Sequence, residues 1–142
     1  MIRISELKLP LSALPVEVRR AADAPELSGR VTFRGWVDED YQADPDLPWS
    51  WRAKLKDAGL GALGDIGTHL VSMAHGIMGP IASLIADMQT IHETRPLPDG
   101  SGHAAVENED AASVVMRFAN GAQGSMVISR SAWGRKSRRS EE

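Results

Sequence analysis

The residues of this chain best suited to chemistry are Asp65 and His69, which lie four positions apart in the segment 65–69. In an α-helix this spacing places both side chains on the same face. A histidine can move a proton near neutral pH, and a neighbouring carboxylate can bind a hydroxyl group or tune the imidazole. The pattern indicates either an Asp–His pair at the floor of a cleft or an aspartate that only caps the helix beside a partly buried histidine.

A metal site is a second interpretation of the same segment. Asp65, His69, His75 and His92 could supply oxygen and nitrogen ligands. However, His69 and His75 are six residues apart and fall on opposite faces of a helix, and no second pair of ligands at helical spacing accompanies the first. The sequence therefore predicts no bound metal.

A possible ligand-binding cation, Arg52, follows Trp49 and Trp51. A guanidinium beside indole rings can bind an anionic or hydroxylated ligand. Alternatively, the tryptophans pack in the protein and Arg52 pairs with Asp44 or Asp46 of the preceding acidic loop. Both interpretations remain open at this point.

The stretch GLGALG, residues 59–64, matches the G-x-G-x-x-G pattern of dinucleotide-binding loops. In those folds the pattern follows a β-strand and opens a helix, so that the turn can hold a pyrophosphate. Here the preceding residues 52–58 have a helical pattern. We therefore interpret the glycine-rich stretch as a flexible connection between two helices.

These residues must be positioned by two predicted helices. The main helix spans 65–78, with Asp65 at its N-cap and an end at Gly79-Pro80. A shorter helix spans 51–58, with Ser50 as its cap. The apolar stripe of the main helix consists of Ile66, Leu70, Met73, Ala74 and Ile77.

Alternating residues predict strands at 30–37, 81–92, 111–118 and 122–130, with a loop from about 95 to 109. Strand 81–92 has apolar residues on both faces, which predicts a central position in the sheet. Asn120-Gly121 between two alternating runs predicts a tight hairpin. This order of elements is typical of an α+β fold with a largely antiparallel sheet.

The composition fits one globular domain of 142 residues and excludes several classes of protein. The net charge of −3 argues against a nucleic-acid-binding protein. The absence of cysteine excludes disulfides, cysteine catalysis and cysteine-ligated metals. No apolar run is long enough to span a membrane and the N-terminus lacks the pattern of a secretory signal, so we expect a cytoplasmic protein.

Several motifs in order over residues 29–136 resemble the C-terminal domain of the Gfo/Idh/MocA oxidoreductases. The glycine-rich stretch and the segment 65–69 form the most specific part of this resemblance. The other motifs are Asp44-Pro45, Trp51-Arg52, Gly79-Pro80-Ile81, Thr90, Arg95-Pro96, Val106-Glu107-Asn108-Glu109-Asp110 and Phe118-Ala119-Asn120-Gly121-Ala122 with Gly124.

The resemblance implies an enzyme that uses NAD or NADP to oxidise or reduce a sugar, cyclitol or related polyol. A Rossmann domain would hold the nucleotide, and the C-terminal domain, an open sheet with helices on one face, would supply the substrate cleft. The other face of the sheet would form a homo-oligomer interface. His69 matches the family's proton acceptor, Asp65 matches the aspartate that binds the reacting hydroxyl, and Arg52 matches a residue near the substrate.

The sequence also departs from the family, because a Rossmann domain and the family's catalytic lysine segment are missing. Residues 1–28 are an atypical N-terminal segment and residues 137–142 are a polar tail. We therefore expect a substrate-binding and oligomerisation domain at 29–136 that binds no nucleotide and is inactive alone. Its expected partners are a sugar or polyol, a Rossmann domain and a second copy, with no nucleic acid or membrane. The alternative is a non-catalytic module that assembles through its sheet.

Overall fold

The computed structural model describes residues 29–134, so the predicted N-terminal segment and polar tail lie outside the described residues. In this part of the chain, no helix combines the length and apolarity that crossing a membrane requires. The helical elements are a 3-10 turn at Trp51–Ala53, α1 at Leu55–Ala58, a π-helical turn at Leu63–Gly67 and α2 at Thr68–Met78. The strands are β1 at Thr32–Asp38, β2 at Ile81–Gln89, β3 at Thr94–Pro96, β4 at His103–Ala105, β5 at Ala111–Phe118 and β6 at Gln123–Ser129.

The main sheet has four strands in the order β1-β6-β5-β2 and is mostly antiparallel. A second sheet contains only β3 and β4, which pair antiparallel with Arg95 opposite Ala104. The predicted α+β class with an open, largely antiparallel sheet is confirmed.

The described residues divide into two compact units. We call the first the helix unit, because it contains α2, and the second the loop unit, because it contains the glycine-rich stretch. The helix unit consists of residues 29–36, 68–87 and 113–126. The loop unit consists of residues 37–67, 88–112 and 127–134.

The core of the helix unit forms around an aromatic pair. The rings of Phe33 and Phe118 meet edge to face, with their centroids 6.3 Å apart. Gly35 leaves space beside this pair, because a Cβ at Gly35 would lie 3.1 Å from the ring of Phe33 and 3.2 Å from Leu70. Leu70, Ala74 and Ile77 of α2 are buried, as the predicted apolar stripe requires.

The hairpin that joins β5 to β6 turns at Asn120-Gly121, as predicted from the sequence. The Phe118 N–H donates to the Ala122 oxygen at 2.9 Å, and Gly121 has a φ of 84°. This left-handed conformation is one that glycine adopts without steric cost. The turn therefore fixes the register of the two strands.

The predicted central position of strand 81–92 is wrong, because β2 is an edge strand of the sheet that residues 29–134 form. Eight of its nine residues are exposed, and Ile85 is 79% exposed. Apolar residues on both faces indicate a buried strand only where other elements cover those faces. No element within residues 29–134 covers β2 in this way.

Three local predictions need correction. The predicted loop 95–109 contains β3 and β4, which are too short to show a clear alternation. Ser50 makes no side-chain capping hydrogen bond to the turn that follows it. Asp65 is not an N-cap, because it lies inside the π-helical turn, and its backbone N–H donates to the Gly61 oxygen at 2.9 Å.

Candidate functional site

The carboxylate of Asp65 is contacted by two donors in the loop unit. The Tyr41 hydroxyl donates to Asp65 Oδ2 at 2.6 Å, and Arg52 Nη1 lies 3.5 Å from the same oxygen. The Arg52 guanidinium also lies over the ring of Trp51, 5.2 Å from its centroid. The predicted alternative of an Arg52 pair with Asp44 or Asp46 is wrong.

Asp65, Arg52 and Trp51 line a cavity of about 220 Å³. A carboxylate accepts hydrogen bonds, a guanidinium donates them, and an exposed indole ring offers an apolar face. In a cavity lined in this way, a small number of polar groups is enough to orient a small ligand that carries several hydroxyl groups. The lining residues are Trp51, Arg52, Ala58, Leu60, Gly61, Gly64, Asp65 and Arg130.

The phenol of Tyr41 is held in its neutral form by its surroundings. Partial burial raises the pKa of Tyr41, and the hydrogen bond to Asp65 and the negative charge of Asp65 raise it further. The positive charges of Arg130 and Arg52 act in the opposite direction and are the weaker causes. Tyr41 therefore keeps its proton at neutral pH and donates a hydrogen bond to Asp65.

Glu109 holds the glycine-rich stretch by three hydrogen bonds. Its carboxylate accepts from the backbone N–H groups of Gly61 and Leu63, each at 2.9 Å, and its backbone oxygen accepts from Ala62 at 2.9 Å. A Cβ on Gly61 would clash with the Glu109 backbone oxygen, so this close approach requires glycine.

The same hydrogen bonds use backbone N–H groups of the glycine-rich stretch. A dinucleotide-binding loop needs free backbone N–H groups and a preceding strand. Here the three N–H groups of residues 61–63 already donate to Glu109, and the preceding element is the helix α1. The stretch connects two helical elements, and its local structure differs from that of a dinucleotide-binding loop in both respects.

The backbone of Arg52 is held by a buried polar network. The Asn108 side-chain nitrogen donates to the Arg52 backbone oxygen at 2.8 Å, and its oxygen accepts from Arg130 Nη2 at 2.9 Å. Arg130 Nε in turn donates to Asp110 Oδ1 at 2.8 Å. From the sequence, residues 106–110 are only a family motif. Their role in this network could not be predicted, because the hydrogen bond from Asn108 to Arg52 joins residues 56 positions apart and leaves no periodic pattern.

The loop that carries Tyr41 is fixed by a buried arginine. Arg95 donates to the backbone oxygens of Asp44 and Gln42, each at 2.7 Å, and the Gln42 N–H donates to the Arg130 oxygen at 2.9 Å. Burial lowers the pKa of the Arg95 guanidinium. Five donors in a planar fork let a single arginine tie two carbonyl groups of this loop.

Two further predicted residues are histidines. His69 is exposed on α2 in the helix unit, whereas Asp65 and Arg52 belong to the loop unit, so the Asp65–His69 pair stays a prediction from spacing. His92 is a structural residue, since its Nε2 lies 3.0 Å from the Ala43 backbone oxygen. Between residues 29 and 134 no three His, Asp or Glu side chains are grouped as a metal site requires.

Comparison with known families agrees with the resemblance seen in the sequence. A model of the GFO/IDH/MocA C-terminal domain matches residues 16–141. The chain therefore belongs to this family, and the resemblance seen in the sequence motifs is confirmed.

Two proteins with similar sequences and structures are oxidoreductases. Levoglucosan dehydrogenase of Pseudarthrobacter phenanthrenivorans is 39% identical over 120 aligned residues, which cover 75% of this chain and 31% of that enzyme. A structure of levoglucosan dehydrogenase with NADH and L-sorbose has a TM-score of 0.73 at 37% identity, covering 84% of this chain and 32% of that one. The structure of an NAD-binding oxidoreductase from Klebsiella pneumoniae has a TM-score of 0.75 at 38% identity. The match covers 84% of this chain and 32% of that one. The chain thus spans about a third of the length of these relatives.

Proposed function

We propose that this chain is the substrate-binding domain of an NAD(P)-dependent oxidoreductase that acts on a sugar, cyclitol or related polyol. The observation that carries this proposal is the cavity in which Arg52 and Asp65 meet beside the exposed ring of Trp51. A relative that is 37% identical is described in complex with NADH and L-sorbose, which is the same class of ligand.

Each site residue has a distinct proposed role. Asp65 accepts a hydrogen bond from the reacting hydroxyl and orients it, and Arg52 donates to a second hydroxyl of the ligand. His69 takes the hydroxyl proton, as an imidazole does near neutral pH. Oxidation of an alcohol also removes a hydride from carbon, and none of these residues supplies an acceptor for it.

The proposal therefore includes a separate nucleotide-binding domain as partner. The backbone N–H groups of residues 61–63 donate to Glu109, so these three groups are not free to bind a phosphate, which supports this part of the proposal. We expect the isolated chain to bind the sugar and to be inactive as a dehydrogenase.

Titration of the isotopically labelled 142-residue chain with levoglucosan and with L-sorbose, followed by NMR, tests the proposal. We expect shifts of the Trp51 indole and of the backbone amides near Asp65. Asp65→Asn and Arg52→Gln should weaken binding, while Asp57→Asn, which removes a carboxylate paired with Lys54 outside the cavity, should not. Shifts that are absent, or that persist unchanged in Asp65→Asn, would contradict the proposal.

A second candidate function is assembly through the sheet, and one observation favours it. In the helix unit Ile85, Val115 and Leu84 are 79%, 66% and 56% exposed, which is unusual for apolar residues of a sheet. If the domain serves only for assembly, Val115→Lys should dissociate an oligomer in size-exclusion chromatography, and His69→Ala should change neither assembly nor any ligand binding. Sugar binding that depends on Asp65 would favour the enzyme domain instead.

A further inference from the structure

The hydrogen bond between Tyr41 and Asp65 joins two residues that are 24 positions apart in the chain. The hydroxyl donates to Oδ2 at 2.6 Å, which is a typical distance for an O–H donor and a charged oxygen. Arg52 reaches the same oxygen only at 3.5 Å, and the side chains of Arg52 and Asp65 are 53% and 42% exposed. Exposed ion pairs of this kind contribute little to the free energy of folding. Of these two side chains, Tyr41 therefore makes the closer contact with the Asp65 carboxylate.

Tyr41 itself is held by a loop with several distant attachments. Arg95 donates to the next residue, Gln42, and the Ser131 hydroxyl donates to the same oxygen at 3.1 Å. The Gln42 N–H is bound by the Arg130 backbone oxygen. A donor on an anchored loop fixes an acceptor better than a donor on a long flexible side chain, because less conformational entropy is lost on contact.

We propose that Tyr41 is a positioning residue: its hydroxyl holds the Asp65 carboxylate in the orientation that accepts a ligand hydroxyl. This inference rests on the proposed function, since it concerns the same cavity. It assigns to Tyr41 an effect that passes through Asp65 and not through contact with the ligand. Removal of the hydroxyl should weaken binding only while the carboxylate is present.

A double-mutant cycle tests this inference with levoglucosan as the probe. Dissociation constants are measured by NMR for the wild-type chain, Tyr41→Phe, Asp65→Asn and the double variant. We expect Tyr41→Phe to weaken binding about tenfold, as the loss of a hydrogen bond to a charged group does. In the Asp65→Asn background the same change should have no further effect. Equal effects in both backgrounds, or no effect in either, would overturn the proposal.

A spectroscopic measurement tests the contact without any ligand. Tyr41 is the only tyrosine of the chain, so the absorbance change of the phenolate reports on this residue alone. Asp65→Asn should lower the pH at which Tyr41 ionises, because the carboxylate raises the pKa of the phenol. Asp57→Asn is the matched control and should leave the titration unchanged. An identical titration in Asp65→Asn would show that the two groups do not interact, and the proposal would be wrong.

The two experiments separate the possible failures. If the wild-type chain binds no sugar, the proposed function is wrong, and the phenol titration alone decides whether Asp65 holds Tyr41. If sugar binds and Asp65→Asn weakens binding while Tyr41→Phe does not change it, the function stands and the positioning role is wrong. Backbone amide spectra of each variant confirm that it is folded.

Discussion

Asp110 and Arg130 form an ion pair at 2.8 Å with side chains that are 0% and 5% exposed. The second carboxylate oxygen of Asp110 accepts from the backbone N–H groups of Ile91 and His92 at 2.8 and 3.1 Å. Both charges are thus compensated and hydrogen-bonded, as a buried pair requires. The pair joins three separate parts of the chain behind the candidate site.

Removal of one partner of this pair should be costly. Asp110→Ala leaves the Arg130 charge buried without a counter-charge, so we expect the free energy of unfolding to fall by about 3–5 kcal/mol. Urea denaturation followed by circular dichroism measures this change. Asp87→Ala on the exposed strand β2 is the control and should cost no more than about 0.5 kcal/mol. Equal costs for the two variants would contradict the structural role of the pair.

The close approach of Gly61 to Glu109 leads to a second prediction. Gly61→Ala places a Cβ against the Glu109 backbone oxygen, which cannot rotate away, so we expect a loss of about 1–3 kcal/mol in the free energy of unfolding.

Gly67→Ala is the matched control for this change in the same helical segment. Its nearest neighbour would be a terminal methyl group of Leu63 at 3.0 Å, which can move. Its cost in a urea denaturation series should therefore be clearly smaller than that of Gly61→Ala. The reverse order would show that Gly61 is not in contact with Glu109.

The raised pKa of Tyr41 should make the free energy of unfolding depend on pH in the alkaline range. Its pKa is raised in the folded chain above the ordinary value of about 10, so the folded state holds the proton more tightly than the unfolded state. This contribution to stability is complete below the ordinary pKa and is lost as the pH rises toward the raised pKa. The difference in unfolding free energy between the wild-type chain and Tyr41→Phe should thus shrink above pH values of about 10. A constant difference across this range would contradict the assignment.

The occupied amides of residues 61–63 predict that the isolated chain does not bind NADH. Titration with NADH should produce only the fluorescence loss that free tryptophan derivatives show at the same absorbance. Trp51 lines the cavity, so binding there would be visible. Saturable quenching at low NADH concentration would mean that the interpretation of the stretch 59–64 as a helix connection is wrong.

The parts of the fold that the sequence predicted are those with local signals. The stripe that includes Leu70 and Ala74 repeats at helical spacing, and Asn120-Gly121 lies between two alternating runs. Both signals depend on residues within one element, so tertiary contacts were not needed to interpret them. The edge position of β2 depends on which other strands are its neighbours, and no local pattern records that.

The candidate site was predicted only in part for the same reason. Asp65 and Arg52 were singled out by residue type, and the structure brings them together. The sequence does not identify Tyr41 and Glu109 as site residues, because their hydrogen-bond partners are 24 and up to 48 positions away in the chain. A lone tyrosine in an acidic loop has no spacing that marks it as a partner of a distant carboxylate.

The dependence of the cavity on Glu109 has a consequence for how the chain is made. A ribosome delivers residues 41–65 first, whereas Glu109, Asp110 and Arg130 follow much later. Until those residues emerge, the turn that carries Asp65 lacks the hydrogen bonds that hold it. The cavity is therefore completed late in translation, after the strands that follow it have been synthesised. A peptide of residues 37–67 alone should not form it.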